Sequence, residues 1–452
     1  MLGFFGIGNL EMKRQILWLA LFALALTSSA CRLSQNLLRQ NPINEIFKSQ
    51  YGLIAFVGTD GNIYTAGEDG EDVHPITMDA QLAAGLGEKE RFYQFPTWSP
   101  DSEKLAFLGT TRSNDEIESV SLFIAAIGRE ELVEAYESKD EIPFYLFWAP
   151  NSTQVTFLTS KAGESDLSLQ MVGAGQGEVQ VLGTGQPFYW DWSPDHRRII
   201  THTGGAAATR PDARLTLLEL DNGIIESDLD LPPAAFQAPA WSPSGDELLL
   251  VGEVEEGQNA LTLTDNQGII KKSLVTSQGA IAFAWSPNGE KLAYLAGARP
   301  TAPILAGSLK VIDPDRPEQA TSTADDQVVA FFWSPNSSQI AYFVPVIESP
   351  GEELVQSGDP DSALKLSLRV LEASTGEARE IALFVPSGQL LNIIPFFDQY
   401  QRSDTIWSPD GQHLVYAALE PGMPPGIFVA DVSGKASPTR IASGQFAFWS
   451  WR

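Results

Sequence analysis

The chain alternates short apolar runs with short polar turns, and the alternation itself repeats. Seven times an apolar run ends in Trp, continues through Ser (once Ala) and Pro into a polar turn, and enters a second apolar run. The anchors are Trp98-Ser99-Pro100-Asp101, Trp148-Ala149-Pro150-Asn151, Trp192-Ser193-Pro194-Asp195, Trp241-Ser242-Pro243-Ser244, Trp285-Ser286-Pro287-Asn288, Trp333-Ser334-Pro335-Asn336 and Trp407-Ser408-Pro409-Asp410. A truncated copy, Trp449-Ser450, stands near the end of the sequence. Most anchors lie about 40–50 residues apart, the length of one four-stranded propeller blade. The repeat at Trp285 shows the physics. Ala280 to Trp285 is almost wholly apolar, as a strand covered on both faces by neighbouring sheets must be. In Ser286-Pro287-Asn288-Gly289, Pro presets φ and Asn-Gly tolerates the left-handed backbone of a tight turn. Lys291 to Leu295 reads as the antiparallel partner, Ile304 to Ile312 as a third strand, and a more polar segment before Gln327 as the fourth. The Trp that ends each first strand is expected to wedge between adjacent sheets as core packing.

The two ends of the repeat region complement each other. Gly52 to Gly58 reads as a second strand with no Trp-Ser-Pro strand before it, and Gln445 to Ser450 offers the missing first strand. The pattern predicts an all-β fold, an eight-bladed β-propeller over residues 51–452, closed by pairing of the C-terminal strand with the first blade. The repeats resemble the TolB-like β-propeller family, whose WD-like signature is Trp-Ser-Pro-Asp-Gly before an apolar strand. The resemblance runs from about residue 50 to 452 and is shared with the propeller half of prolyl oligopeptidase-like enzymes. TolB itself carries an α/β domain ahead of its propeller. Only about 20 residues separate Cys31 from the first strand here, so a relative in architecture is expected rather than TolB.

Residues 1–30 read as an export signal. Lys13-Arg14 forms a basic start, Ile16 to Leu26 is an unbroken apolar run of 11 residues, and Thr27-Ser28-Ser29-Ala30 supplies small residues before Cys31. The run is too short to span a bilayer. It resembles a bacterial lipoprotein signal, with Ser28 where Leu is usual, and the resemblance implies a lipidated Cys31 followed by a linker over 31–50. Cys31 is the only cysteine, which excludes an internal disulfide and a Cys-based zinc site. The expected address is the cell envelope, on its periplasmic or extracellular face, with acyl chains as the membrane anchor.

Composition changes the picture in one respect. Asp and Glu number 57 against 29 Lys and Arg, a net charge of −28, which repels phosphate backbones and argues against nucleic-acid binding. Candidate chemistry is sparse. The nearest approach to a nucleophile elbow, Gly163-Glu164-Ser165-Asp166-Leu167, lacks its final glycine. His196 and His202 would stand about 20 Å apart on an extended strand, too far to share a metal. Glu68 to Asp72 and Asp359-Pro360-Asp361 lack the ligand alternation of a calcium loop. No cofactor, metal site or catalytic residue is therefore assigned.

One interval breaks the period: Trp333 and Trp407 are 74 residues apart. The insertion, at about 348–402, has two parts. Glu348 to Ser362 is rich in Gly, Pro, Ser and carboxylates and reads as a loop, whereas Ser387 to Arg402 is apolar and aromatic. Phe396, Phe397, Tyr400 and Arg402 are residue types suited to a partner-binding surface, with packing over their own blade as the other reading. The function expected is a monomeric, exported, lipid-anchored propeller that binds an envelope protein or serves a transport assembly. The alternative is a propeller enzyme or carbohydrate-binding protein, of glycan lyase or hydrolase type, working from the central channel.

Overall fold

The computed structural model describes residues 52–452 except 84–87, 115, 130, 176, 205–212, 222, 235–236, 256, 298–304, 324 and 347–363. The expected export signal over 1–30, Cys31 with the expected linker over 31–50, and the polar part of the insertion with Asp359 and Asp361 lie outside the described residues.

The fold is all-β and built from repeated four-stranded antiparallel meanders, a propeller architecture. Five separate sheets among the described residues cover 90–138, 141–185, 188–228, 240–277 and 280–322. The remaining strands form one run of ten, from Ala330–Trp333 through Thr439–Trp449 and on to Ile54–Gly58, Ile63–Ala66 and His74–Pro75. In the repeat at 280–322 the strands are Ala280–Trp285, Leu292–Gly297, Leu309–Asp313 and Arg316–Ser322, and the first two pair from Ala280↔Gly297 to Trp285↔Leu292. Burial falls along each meander. Ile281, Phe283 and Leu292 are buried, whereas the last strand is exposed or half-buried throughout. The core therefore sits where inner strands of adjacent sheets face each other, as in the cluster that joins Leu249 and Leu261 to Phe283 and Tyr294.

The turn after each Trp explains why Ser, Pro and Asp or Asn recur. Ser99 Oγ accepts from Lys104 N and donates to Asp101 Oδ1, while Asp101 Oδ1 accepts from Glu103 N. Ser193, Ser286, Ser334 and Ser408 make the same pair of bonds in their own turns. The side chains thus saturate the turn and hold the hairpin register. Ala149 has no hydroxyl, and there Asn151 Oδ1 takes Thr153 N and Oγ1.

The tryptophans bridge consecutive sheets. Trp148 Nε1 donates to Thr97 O at 3.0 Å, Trp407 Nε1 to Phe332 O at 2.9 Å and Trp98 Nε1 to Phe448 O at 3.4 Å. Each indole reaches the residue before the tryptophan of the neighbouring sheet, so the wedge is hydrogen-bonded as well as apolar. Turns also touch turns: Asp101 N donates to Ser152 Oγ, Asn288 N to Ser337 Oγ and Arg452 N to Ser102 Oγ.

Thr439–Trp449 serves two sheets. Its first half pairs with Gly426–Asp431, while Gly444 and Phe446–Trp449 pair with Ile54–Gly58. Ser450 Oγ accepts from Leu53 N at 2.9 Å and extends this junction by one residue.

Candidate functional site

The apolar insertion is helical. Helix α1 spans Gly388–Ile393, a 3₁₀ turn follows at Ile394–Phe396 with Pro395 at its start, and helix α2 spans Phe397–Ser403. Ser387 caps α1 by accepting from Leu390 N, and its hydroxyl donates to Gln445 O. Asp398 in the first turn of α2 and Arg402 in the last complement the helix dipole. The insertion displaces part of a strand. The inner edge of His413–Leu419 is instead met by two short pieces: Val385 and Pro386 pair with Leu419 and Ala418, with Ser387 N donating to Ala417 O, and after the helices Thr405 to Trp407 carries the bridges Thr405↔Trp449 and Trp407↔Leu414.

Helix α2 lies in the space that the first strands surround. Phe397 packs on Phe331 at 5.1 Å between ring centroids, and Tyr400 meets Tyr145 edge-on at 4.9 Å. The Gln399 amide imitates a neighbouring strand: Oε1 accepts from Trp190 N and Nε2 donates to Trp190 O. Asp398 Oδ2 accepts from Ala238 N at 3.0 Å. Arg402 Nη1 pairs with Asp191 Oδ2 at 2.8 Å, and the same oxygen accepts from Trp241 N. Four different sheets thus hold one seven-residue helix. Burial pushes the Asp191 carboxyl above its usual range, against the pull of Arg402 and the Trp241 and Trp192 amides.

These contacts correct the expectation of a solvent-facing aromatic surface. Phe397 is 2% exposed, Tyr400 is packed on Tyr145, and the Arg402 side chain is 11% exposed. Phe396 alone of the four is exposed, at 46%. The physical reason is periodicity: Leu390, Ile394 and Phe397, or Ile393, Phe397 and Tyr400, recur at helical spacing and give one apolar face. That signal was present in the sequence, and it would have pointed to a buried helix rather than a loop. Asp398 and Gln399, which do much of the anchoring, carry no local signal, because their partners are backbone groups some 160 and 209 residues away.

Where α2 ends, an axial cavity of about 560 Å³ opens. The proline of every one of the seven repeats, from Pro100 to Pro409, lines it, together with indoles such as Trp192, Trp241 and Trp285. Gln401 and Arg402 are the helix's contribution to the wall. The charged residues of the lining are Asp191 and Arg402, already joined to each other. The wall offers stacking and apolar contact around one neutralised ion pair.

Other candidates resolve into structure. His202 is buried with Nδ1 at 2.9 Å from Gln237 O, and burial pushes its pKa down to about 4. His196 occupies a turn with φ of 55°. Asp69 Oδ1 accepts from Glu71 N inside its own turn. Among the described residues no group of three or more His, Cys, Asp or Glu side chains converges as a metal site. Asp404, next to α2, is buried with Oδ2 accepting from Ser403 Oγ, and burial pushes its carboxyl well above the usual range.

No family model and no curated protein matches this chain. Solved structures with a similar course of chain include TolB from Acinetobacter baumannii, at 16% identity and a TM-score of 0.36 over 61% of this chain and 64% of that one. The chain therefore spans about two-thirds of the length of that TolB, 64%. An oligogalacturonate lyase in complex with manganese is similar at 15% identity and a TM-score of 0.47, over 78% of this chain and 96% of that one. The β-propeller domain of the trilobed protease from Pyrococcus furiosus is similar at 9% identity and a TM-score of 0.46, over 79% and 99% of the two chains.

Proposed function

We propose that this chain is an exported, lipid-anchored propeller of eight blades, its ring closed by the C-terminal strand, that acts as a binding module for an envelope protein. The pairing of Gly444 and Phe446–Trp449 with Ile54–Gly58 supports the closure. Cys31, placed after an apolar run and small residues, supports the anchor. The observation that carries the binding reading is the composition of the axial cavity. Its wall is proline and indole, and its one carboxylate is tied to Arg402, which suits recognition better than proton transfer. Among the described residues no helix is long and apolar enough to cross a membrane.

The test is position-dependent photo-crosslinking in native membranes. A crosslinking residue at Trp451, on the cavity rim, should capture one defined partner. The same residue at Val181, exposed on an outer strand, should not. Equal capture from both positions would overturn the reading. Phe396, exposed beside the buried helix, is the second position to probe. A clickable fatty acid should label the wild type and miss Cys31→Ser, and equal membrane retention of both would remove the anchor from the proposal.

A further inference from the structure

Two costly features bear on the seat of α2. Asp404 caps the C-terminus of the helix, with its N–H donating to Tyr400 O. Its side chain is buried: Oδ2 accepts from Ser403 Oγ at 2.7 Å, and Oδ1 is shielded from solvent without a donor. A carboxylate there would meet the negative end of the helix dipole in a site with no water. Across from the helix, a bulge between Phe144 and Leu146 leaves Tyr145 out of the ladder, at φ 48° in the left-handed region. A residue other than glycine stays there only when its surroundings hold it. Here α2 does so: the Tyr145 hydroxyl donates to Gln399 O and accepts from Gln399 Nε2, and its ring meets Tyr400.

Few charged groups surround Asp404. Tyr145 and Tyr400 face it, and burial holds both hydroxyls well above their ordinary range. Arg402 is engaged by Asp191, and Asp398 accepts from Ala238 N, so neither helix neighbour supplies a countercharge. Phe331, Trp190 and Trp449, from the strands packed around the helix, carry none. Burial pushes the Asp404 carboxyl up, opposed by the Ser403 hydroxyl alone. The flanks of the insertion are fixed separately, by Ser387 N donating to Ala417 O and by Trp449 N donating to Thr405 O. Residues 388–404 can therefore leave the axis as a strap while both flanks stay paired.

From this geometry we propose that α2 is a pH-released plug, seated on the axis while Asp404 is protonated and displaced toward solvent when Asp404 ionises. One proton balances the step: the seated form carries it on the carboxyl, and the displaced form gives it up to water. Displacement also frees Tyr145 to relax and takes Gln401 and Arg402 out of the wall of the axial cavity. The Arg402 pair with Asp191 and the Gln399 bonds to Trp190 oppose release. Because the seated carboxyl titrates higher than the displaced one, seating is firmest at low pH. It weakens about 10-fold for each unit by which pH rises toward the seated value. Neither export, lipid nor a protein partner enters this step, so it stands or falls apart from the binding-module reading.

Amide hydrogen exchange on the full chain in detergent tests it, from about pH 5 to about pH 8 and corrected for intrinsic exchange rates. In the wild type, protection of the α2 amides should fall about 10-fold per pH unit. In Asp404→Asn, which cannot ionise, it should stay level. Protection of Leu292–Gly297, in the sheet at 280–322, should stay level in both. Level protection of α2 in the wild type would overturn the proposal, as would a parallel fall in Asp404→Asn. A fall shared by α2 and Leu292–Gly297 would overturn it as well, since the helix would then open only with the whole fold.

Discussion

The sheet at 280–322 and the sheet that begins at Thr405 obey the same turn rule and differ in their first strand. In both, the Ser after Trp accepts the hairpin amide and donates to Asn288 or Asp410. The first has six continuous residues of inner strand, Ala280–Trp285, whereas in the second the inner edge is divided between Val385–Pro386 and Thr405 to Trp407, with the helices between them. Val385, Pro386 and Ser387 supply the pairing on the other half of His413–Leu419, while the Gln399 amide of the inserted α2 serves the backbone of Trp190 in a different sheet. A propeller sheet can thus admit a helix into its inner strand if both flanks keep pairing and the inserted chain finds backbone partners across the axis. The regular sheet draws its stability from neighbours on two sides, whereas the helix inserted into the other is held by four sheets at once.

The largest expected effect concerns the modified sheet's last strand. Deleting residues 445–452 removes the pairing with Ile54–Gly58, the Ser450 bond to Leu53 N and the Thr405↔Trp449 bridge. The loss should exceed a margin of about 5–15 kcal/mol and abolish cooperative unfolding in calorimetry. A truncated chain that melts at the native temperature would show that the short inner strand needs no such support.

Next in size is the ion pair that pins α2. Arg402→Ala leaves Asp191 buried without its cation and should cost about 3–5 kcal/mol in chemical denaturation. Lys291→Ala in the regular sheet removes a half-buried ammonium that donates to Ala373 O at 3.4 Å, and should cost under about 1 kcal/mol. Similar costs for the two would erase the distinction between a locally supported sheet and one supported across the axis.

Much of this contrast was legible in the sequence, and the part that was not has a physical reason. The turns were legible because each of their bonds spans five residues or fewer, as with Ser99 and Lys104. The inner strands were legible because burial on both faces leaves an unbroken apolar run. The insertion stands out from the repeat by its length and aromatic content, and its helical period is written in Leu390, Ile394 and Phe397. What could not be read was the direction of those side chains. Whether Phe397 and Arg402 face water or the axis depends on Phe331 and Asp191, which no local pattern links to them. The cavity has the same origin, since its wall collects one turn from every repeat.

Two buried titratable groups separate the regions by pH. His202, in the sheet at 188–228, has its pKa lowered to about 4 from 6.5, mainly by desolvation. Its folded pKa lies below the unfolded one, so its contribution is complete above pH 6.5 and lost as pH falls through about 4. The loss amounts to about 3 kcal/mol at 1.36 kcal/mol per unit. His202→Gln, which cannot titrate, should flatten the acid limb of the stability curve over that window. Asp404, beside α2, has the opposite sign. Its folded pKa is raised, so stability is greatest below the unfolded value of 3.8 and declines as pH rises toward the folded pKa. Asp404→Asn should remove that decline and raise Tm at neutral and alkaline pH. An unchanged slope as pH rises above 3.8 would mean that the carboxyl at the foot of the helix is not held in its neutral form.

The smallest effect lies in the turns that both sheets share. Position five of the repeat is left-handed in all of them: Gly289 and Gly411 have φ of 74° and 69°, while His196 and Ser337 hold 55° and 62° with a Cβ. A non-glycine residue there carries backbone strain, and His196 is exposed in its turn. His196→Gly should therefore raise stability by about 0.5–1 kcal/mol, the strain relieved less the added entropy of glycine. Ser337→Gly relieves similar strain but removes the Oγ that accepts from Asn288 N at 3.0 Å, so its gain should vanish or reverse. Paired urea titrations of the two variants measure the difference. Equal gains would mean that the bond from turn to turn contributes nothing, and that the sheets are joined by their tryptophans and inner strands alone.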